Sequence, residues 1–443
     1  MRVTYVLAVE RGDKLEGDAF FYHHGANLLA DGKGFIDPYL YIYGGEQERV
    51  VFDDVEIPDS PATALPPGHE APTAAHPPAW TVTLAFFSLL GLRSVLAHQL
   101  VAAVIGSAGA VLIAVAAREV ARGRRERDEA AERRAENVGL VAGGIASVYA
   151  FLFLSDGIIM SETLVVVVVA LCTIAAMRFW RTPSWGNAAV LGAAGGLAAL
   201  TRGELVLYVP IVAALALLAS RLDWRTRALR YAACGAVAVA VVAPWVIRNN
   251  VVFKERVFLT SSPGTVLVQT NCDATYGGQK LGYFELYCGL PQPLGPNGEP
   301  LDESQRDVEL RSRAFDYMKA HTRRLVTVAM PARLARMFAL YDPVQTIRFD
   351  VLVEGREFRL SALGLAQYYP IVALAAGGAW LQRRRHEPIA PVVTWIGLVA
   401  LTALATFGNN RYRVSAEPAF VALAAVALHD AVAAIRRRRA AQL

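Results

Sequence analysis

One carboxylate, Asp18, sits in the run Gly17-Asp18-Ala19-Phe20-Phe21-Tyr22, just ahead of a short helical pattern that runs through Ala26-Asn27-Leu28-Leu29 to the glycines of Gly32-Lys33-Gly34-Phe35. An acid among aromatic rings, with His76-Pro77-Pro78 about forty residues after Phe35 and then almost continuous apolar sequence, is laid out like a site at a lipid surface. Its plain alternative is a solvated loop acid or a helix cap. Two further acids, Asp156 and Glu162, lie six residues apart where a helix begins, a place that also suits simple dipole compensation. Arg202 lies between two apolar runs, where an unpaired guanidinium is costly unless it snorkels or finds a partner. Arg248 ends an apolar run and could serve as an interfacial anchor. Arg411 and Arg413 flank Tyr412 in a very short turn. Guanidinium groups match phosphate oxygens in a bidentate way, so these arginines are candidates for an anionic substrate. Tyr22 and His76 are candidates for substrate contact, against the plainer roles of packing and of fixing a turn.

The elements that must hold these groups are membrane helices. Hydrophobic residues make up 54% of the 443 and charged ones 19%, with a mean hydropathy of +0.34. Many segments approach the roughly 20 apolar residues that cross a bilayer. Spans are expected at about 95–117, 138–154, 161–179, 186–200, 205–219, 229–247, 360–381, 389–407 and 416–435. Backbone polar groups cannot be left bare in lipid, and the absence of alternation in these runs excludes a closed barrel. The fold class is therefore all-α and polytopic, a helical bundle with outer loops and interfacial helices.

Orientation follows from arginine placement in short loops. Arg118 to Arg134, Arg178/Arg181, Arg221 to Arg230, Arg383 to Arg385 and Arg436 to Arg439 all fall on one side when the spans alternate. That side is expected to be cytoplasmic, the C-terminus included. The net charge of +5 is then a positive-inside signal and not a nucleic-acid surface. The same parity puts the first loop, the turns at 155–161 and 201–204, the stretch 248–359 and the turn 409–413 outside. Two adjustments keep this parity. The run Ala79–Leu92 is expected to lie in the outer interface with Trp80 near the headgroups. The opening Val3-Thr4-Tyr5-Val6-Leu7-Ala8-Val9 reads as the last turns of a span whose beginning precedes the assigned start, unless another element carries the N-terminus across. No cleavable signal pattern is read there.

In the order of its motifs the chain resembles the GT-C superfamily of polyprenyl-phosphate-dependent glycosyltransferases, most closely its family-39-like bacterial branch. That branch is related to protein O-mannosyltransferases and the lipid A aminoarabinose transferase. The motifs are Asp18 to Tyr22 with Ala26 to Phe35; His76-Pro77-Pro78; Asp156 with Ser161-Glu162; Gly196-Leu197-Ala198-Ala199-Leu200-Thr201-Arg202; Pro244-Trp245-Val246-Ile247-Arg248-Asn249; and Asn410-Arg411-Tyr412-Arg413 with Glu417-Pro418. The resemblance implies a mannose-like sugar carried on a polyprenyl phosphate and transferred with inversion, outside a bacterial plasma membrane, to an acceptor hydroxyl. It implies Asp18 as general base, Glu162 or Asp156 as an orienting acid, and the arginines as phosphate ligands, with Tyr22 and His76 near the substrate. Many relatives carry a second acid directly after the first-loop aspartate; Ala19 stands here, which weakens a paired-acid or metal role. No cofactor is firmly implied, and a divalent metal stays open. The acceptor, whether protein, glycan or lipid, is not identified; the other partners are the lipid-linked sugar donor and the membrane lipids.

Of four cysteines, Cys172 and Cys234 fall within spans as packing residues. Cys272 and Cys288 fall in the outer stretch, sixteen apart, where an oxidising exterior permits a disulfide. The chain divides into 1–94 (first outer loop with the interfacial helix), 95–248 (membrane helices), 249–359 (an outer loop or small domain) and 360–443 (C-terminal membrane helices). Within the third part, Glu309 to Tyr341 reads as a surface-lying amphipathic helix, and residues 44–75 as an insertion of the lid type. A transporter would place charges at mid-span and repeat its membrane pattern, and neither is seen. A non-catalytic scaffold of envelope assembly is the remaining alternative.

Overall fold

A computed structural model describes residues 1–10, 15, 17–52, 56–123 and 128–442. Arg124, Arg125 and Arg127 of the first basic connector and part of the 44–75 insertion lie outside the described residues. Among those described, the chain is helical throughout, with isolated bridges at Ile36–Pro72 and Leu294–Pro300 in place of strands, so the all-α expectation is borne out. The main helices are α1 (Gly17–Ala30), α2 (Ala79–Leu89), α3 (Val95–Arg122), α4 (Glu129–Val148), α5 (Glu162–Arg181), α6 (Trp185–Thr201), α7 (Tyr208–Leu218), α8 (Trp224–Val252), α9 (Glu303–Ala320), α10 (Pro343–Glu354), α11 (Phe358–Arg384), α12 (Ala390–Ala405) and α13 (Glu417–Ala440).

Their starts are chemically marked. Ser94, Ser184 and Asp223 accept hydrogen bonds from the free N–H groups that open α3, α6 and α8. Asp302 and Gln305 form a reciprocal capping box at α9. By length and apolarity, α3, α5, α8, α11 and α13 can each cross a membrane, and α4 with residues 150–157 makes a sixth bent by 83°. The expected spans at 186–200, 205–219 and 389–407 are helical but shorter, as α6, α7 and α12. Helix α5 is the most enclosed of the long helices, with 72% of its apolar window buried; α8 is the least, at 11%.

Close helix contacts rest on small residues. A Cβ on Gly378 of α11 would lie 1.9 Å from the Leu423 carbonyl of α13, and one on Gly192 of α6 would lie 2.3 Å from the Cys234 carbonyl of α8. Association of apolar helices in lipid depends on such approach, because lipid tails are as apolar as leucine.

The bend after α4 leaves backbone groups that no helix satisfies. Gln367 of α11 takes both: its Oε1 accepts from the Ala150 N–H at 2.9 Å and its Nε2 donates to the Val148 carbonyl at 3.0 Å. Beyond the bend, Trp80 corrects an expectation. It is fully enclosed and not at the headgroups, because its indole N–H donates to the carbonyl of Ile159 at 3.0 Å. Val82, Phe86 and Leu89 form the exposed apolar side of α2 instead.

Helix α1 is pinned to α2 and α3 by a ring of polar side chains. His23 Nδ1 faces His98 Nδ1 at 3.0 Å, His98 Nε2 meets Ser88 Oγ at 3.0 Å, Ser88 donates to Asn27 Oδ1 at 2.8 Å, and Asn27 Nδ2 returns to His23 Nε2 at 3.4 Å. An amide nitrogen can only donate, so His23 carries its proton on Nδ1 and His98 on Nε2, and every bond runs in one direction round the ring.

Residues 249–359 fold beside one end of the bundle. A disulfide joins Cys272 to Cys288. The surface-helix reading of Glu309 to Tyr341 applies to α9 but not beyond it. Arg333 and Arg336 have no exposed surface; they donate to the carbonyls of Thr270, Leu281 and Gln279, which end neighbouring turns.

Candidate active site

Side chains from stretches far apart in sequence meet where α1, α5, α6, α10 and the 409–413 turn converge. Asp18 occupies the first turn of α1, where the positive helix end favours a carboxylate. One of its oxygens pairs with Arg411 Nη2 and the other faces His76 Nε2 at 3.4 Å. Arg411 also reaches Glu162 through Nε and lies 3.8 Å from Glu354. Glu162 is shared in turn with Arg202 at 2.9 Å, and Arg202 ion-pairs with Glu204 at 2.7 Å while its guanidinium covers the Tyr412 ring at 4.1 Å. On the α10 side, Arg356 pairs with Glu354 at 2.7 Å. Acids and arginines thus alternate, so each buried charge has a partner of opposite sign.

Access distinguishes the members. The side chains of Asp18 and His76 are 28% and 25% exposed, Arg411 is 15% exposed, and Glu162 and Arg202 form an almost sealed floor. Enclosure pushes the Asp18 carboxyl up, but Arg411 and His76 outweigh it and hold the group well below the usual carboxylate range. Tyr22 is buried, 5.0 Å from the His76 ring, with its hydroxyl bonded to Ser161; burial and then Asp18 push it up. Asp350, on α10, is raised by burial and by Glu354, and accepts from Tyr283 at 2.8 Å and Asn410 at 3.4 Å.

The structure brings together Asp18, Tyr22, His76, Glu162, Arg202 and Arg411. It places three other expected site residues elsewhere. Asp156 is fully buried and pairs with Arg2 and with Thr163 Oγ1 at 2.9 Å, because the break after α4 turns residues 154–157 inward. Arg413 also lacks any exposed surface: the tight 412–415 turn sends it away from Arg411 to Glu417 at 2.6 Å, Asn410 at 3.0 Å and the Tyr368 ring at 3.7 Å. Arg248 donates to the carbonyls of Thr73 and Phe35, each at 2.9 Å. It therefore tethers the loop that carries His76 and makes no contact with Asp18. Glu303 and Ser261 complete that tether at Ala74.

Glu204, Glu354 and Arg356 were not expected from sequence. Glu204 stands two residues after Arg202, a spacing that carried the only available signal. Glu354 and Arg356 sit at the end of the charge-rich stretch 249–359, where two more charges are unremarked. Among the described residues, no three His, Cys, Asp or Glu side chains gather as a metal would require. The acids that do converge are each held by a guanidinium, so this donor set does not fit a divalent ion.

Residues 129–247 match the protein family described as dolichyl-phosphate-mannose-protein mannosyltransferase. No curated protein matches the chain. Among solved structures, ArnT from Cupriavidus metallidurans bound to undecaprenyl phosphate is 15% identical, over 96% of this chain and 75% of that one, with a TM-score of 0.38. The matched stretch supplies Glu162, Arg202 and Glu204 to the cluster.

Proposed function

We propose that the chain is a membrane glycosyltransferase that moves a mannose-like sugar from a polyprenyl phosphate to an acceptor hydroxyl, with inversion, on the outer face of a bacterial plasma membrane. The observation that carries this reading is Arg411, shared between the accessible carboxylate of Asp18 and the buried one of Glu162. The family match over residues 129–247 supports it independently. So does the clustering of these charges at one end of the bundle, since transport would use them at mid-span.

In this reading the acceptor hydroxyl attacks the anomeric carbon while Asp18 takes its proton. The bond from that carbon to the phosphate oxygen breaks, and its electron pair leaves with the polyprenyl phosphate. Arg411 and Arg202 neutralise the charge that develops there. A carboxylate gripped by a guanidinium is a weak base. The incoming phosphate competes for Arg411 and frees Asp18, so donor binding and base activation are one event. His76 then holds Asp18 in place.

The experiment is transfer of radiolabel from polyprenyl-phosphate mannose to membrane acceptors, comparing wild type with Asp18→Asn. Transfer lost in a variant that still inserts supports the reading. Equal transfer in both removes Asp18 from the mechanism.

A further inference from the structure

The end of the bundle far from Asp18 carries a second feature. Helix α8 begins after Leu218-Ala219-Ser220-Arg221-Leu222-Asp223 and presents Arg225, Arg227, Arg230 and Tyr231 within two turns. Arg230 lies eighteen residues before Arg248, about 27 Å of helix at about 1.5 Å per residue. This end is thus well separated from the charge cluster.

Between α7 and α8 there lies a groove of about 300 Å³ lined by Ala214, Leu217, Leu218, Arg227, Ala228 and Tyr231. Its walls are apolar, with Leu218 70% exposed, and Arg227 stands on its α8 wall. Arg230 lies one turn on, stacked on the Trp185 ring at 3.8 Å. The arginines are only partly satisfied. Arg227 donates one bond, from Nη2 to the Ser220 carbonyl at 2.7 Å, and its Nε has no hydrogen-bond partner among the described residues. The same holds for Nε and Nη1 of Arg230. The acid within this turn, Asp223, is occupied in capping α8 through the N–H groups of Arg225 and Thr226 and the Thr226 hydroxyl. Positive charge is therefore left over beside an apolar slot.

We infer that this groove binds one anionic glycerophospholipid, with an acyl chain along Leu217, Leu218 and Ala228 and the phosphate diester on Arg227 and Arg230. Charge complementarity selects the occupant. An apolar slot alone would take any lipid tail, whereas a guanidinium on its wall without a carboxylate partner among the described residues, Arg227, with Arg230 one turn on, favours a headgroup with net negative charge. Trp185 and Trp224 are exposed nearby and Tyr231 lines the groove, amphipathic rings of the kind that favour the headgroup level.

The test uses the full chain purified in detergent and native mass spectrometry of bound lipid. Phosphatidylglycerol and phosphatidylcholine with the same acyl chains are titrated separately, each also against inorganic phosphate. Phosphatidylglycerol is expected to be retained roughly five- to thirty-fold better. Arg227→Gln with Arg230→Gln reduces that preference to near parity. Leu218→Trp, an exposed change that fills the slot and spares both arginines, weakens retention of both lipids. Equal retention of the two lipids by wild type overturns the inference, as does a preference that survives in the double variant. Displacement of phosphatidylglycerol by millimolar phosphate also overturns it, since that would make the site one for free anions.

Discussion

Arg411 pairs with Asp18 across 393 residues of sequence, and the same guanidinium holds Glu162 through its Nε. A planar fork with donors on three nitrogens can serve several carboxylates at once; a lysine ammonium is a single point charge. Arg411→Lys is therefore expected to lower transfer by roughly 100- to 1,000-fold, the scale of losing one charge-stabilising donor group, while the protein still inserts and unfolds cooperatively. Transfer within twofold of wild type would show that Arg411 does not carry the leaving phosphate.

Arg413 is expected to behave in the opposite way. It has no exposed surface, and its removal leaves Glu417 buried without its guanidinium. Arg413→Met should destabilise the fold by about 3–5 kcal/mol, the range for breaking a buried pair from one side. In the fraction that remains folded, KM for the lipid-linked donor should match wild type. A raised KM with unchanged thermal stability would return Arg413 to the binding site.

The ring that pins α1 gives a pH dependence. Each imidazole in it must accept one hydrogen bond, so a second proton on either breaks the circuit. Burial, then His98 and His24, pull His23 down from 6.5 to about 3. A histidine whose folded value lies below its unfolded one leaves the unfolded chain holding more protons between the two. Stability from His23 is complete above about pH 6.5 and is lost as pH falls towards about 3. Melting temperature measured from pH 8 to pH 4 should fall across this window in wild type and fall less in His23→Gln. Parallel curves would remove His23 as a source of acid sensitivity.

The disulfide closes a separation of sixteen residues within the stretch 249–359. Replacing both cysteines by serine is expected to lower the stability of that region by about 3 kcal/mol. Protease cleavage between residues 272 and 300 should accelerate, read by limited proteolysis with and without reductant. No change on reduction would show that the packing of Tyr276 and Leu325 already fixes this region.

Much of this architecture was legible in the chain. Every stretch expected to cross the membrane is helical except where 138–154 breaks after Val148, because apolar runs in lipid leave the backbone little other way to satisfy itself. The convergence of Asp18, His76, Glu162, Arg202 and Arg411 was likewise implied, since span parity assigns each to one end. Parity says which end of a helix a residue occupies but not which way it faces. Asp156 and Arg413 were assigned to that same end, yet the bend after α4 and the 412–415 turn point them into the protein. Trp80 misled for a related reason: an amphipathic ring suits the headgroup level, but its N–H was claimed by the orphan carbonyl of Ile159. Glu354 and Arg356 went unread because charges in a polar stretch carry no local signal until α10 brings Glu354 to Arg411, with Arg356 paired to it.

The amide of Gln367 replaces a missing peptide unit, offering one acceptor and one donor to the two sides of the break after α4. A side-chain splice of this kind fixes the register of α11 against α4 to the residue, since a slip of one position would strand both groups in a solvent with no hydrogen bonds to lend. The sharpest corner in the bundle is thereby a stiff joint. Any motion that the proposed lipid-linked donor requires has to come from elements that no such splice holds.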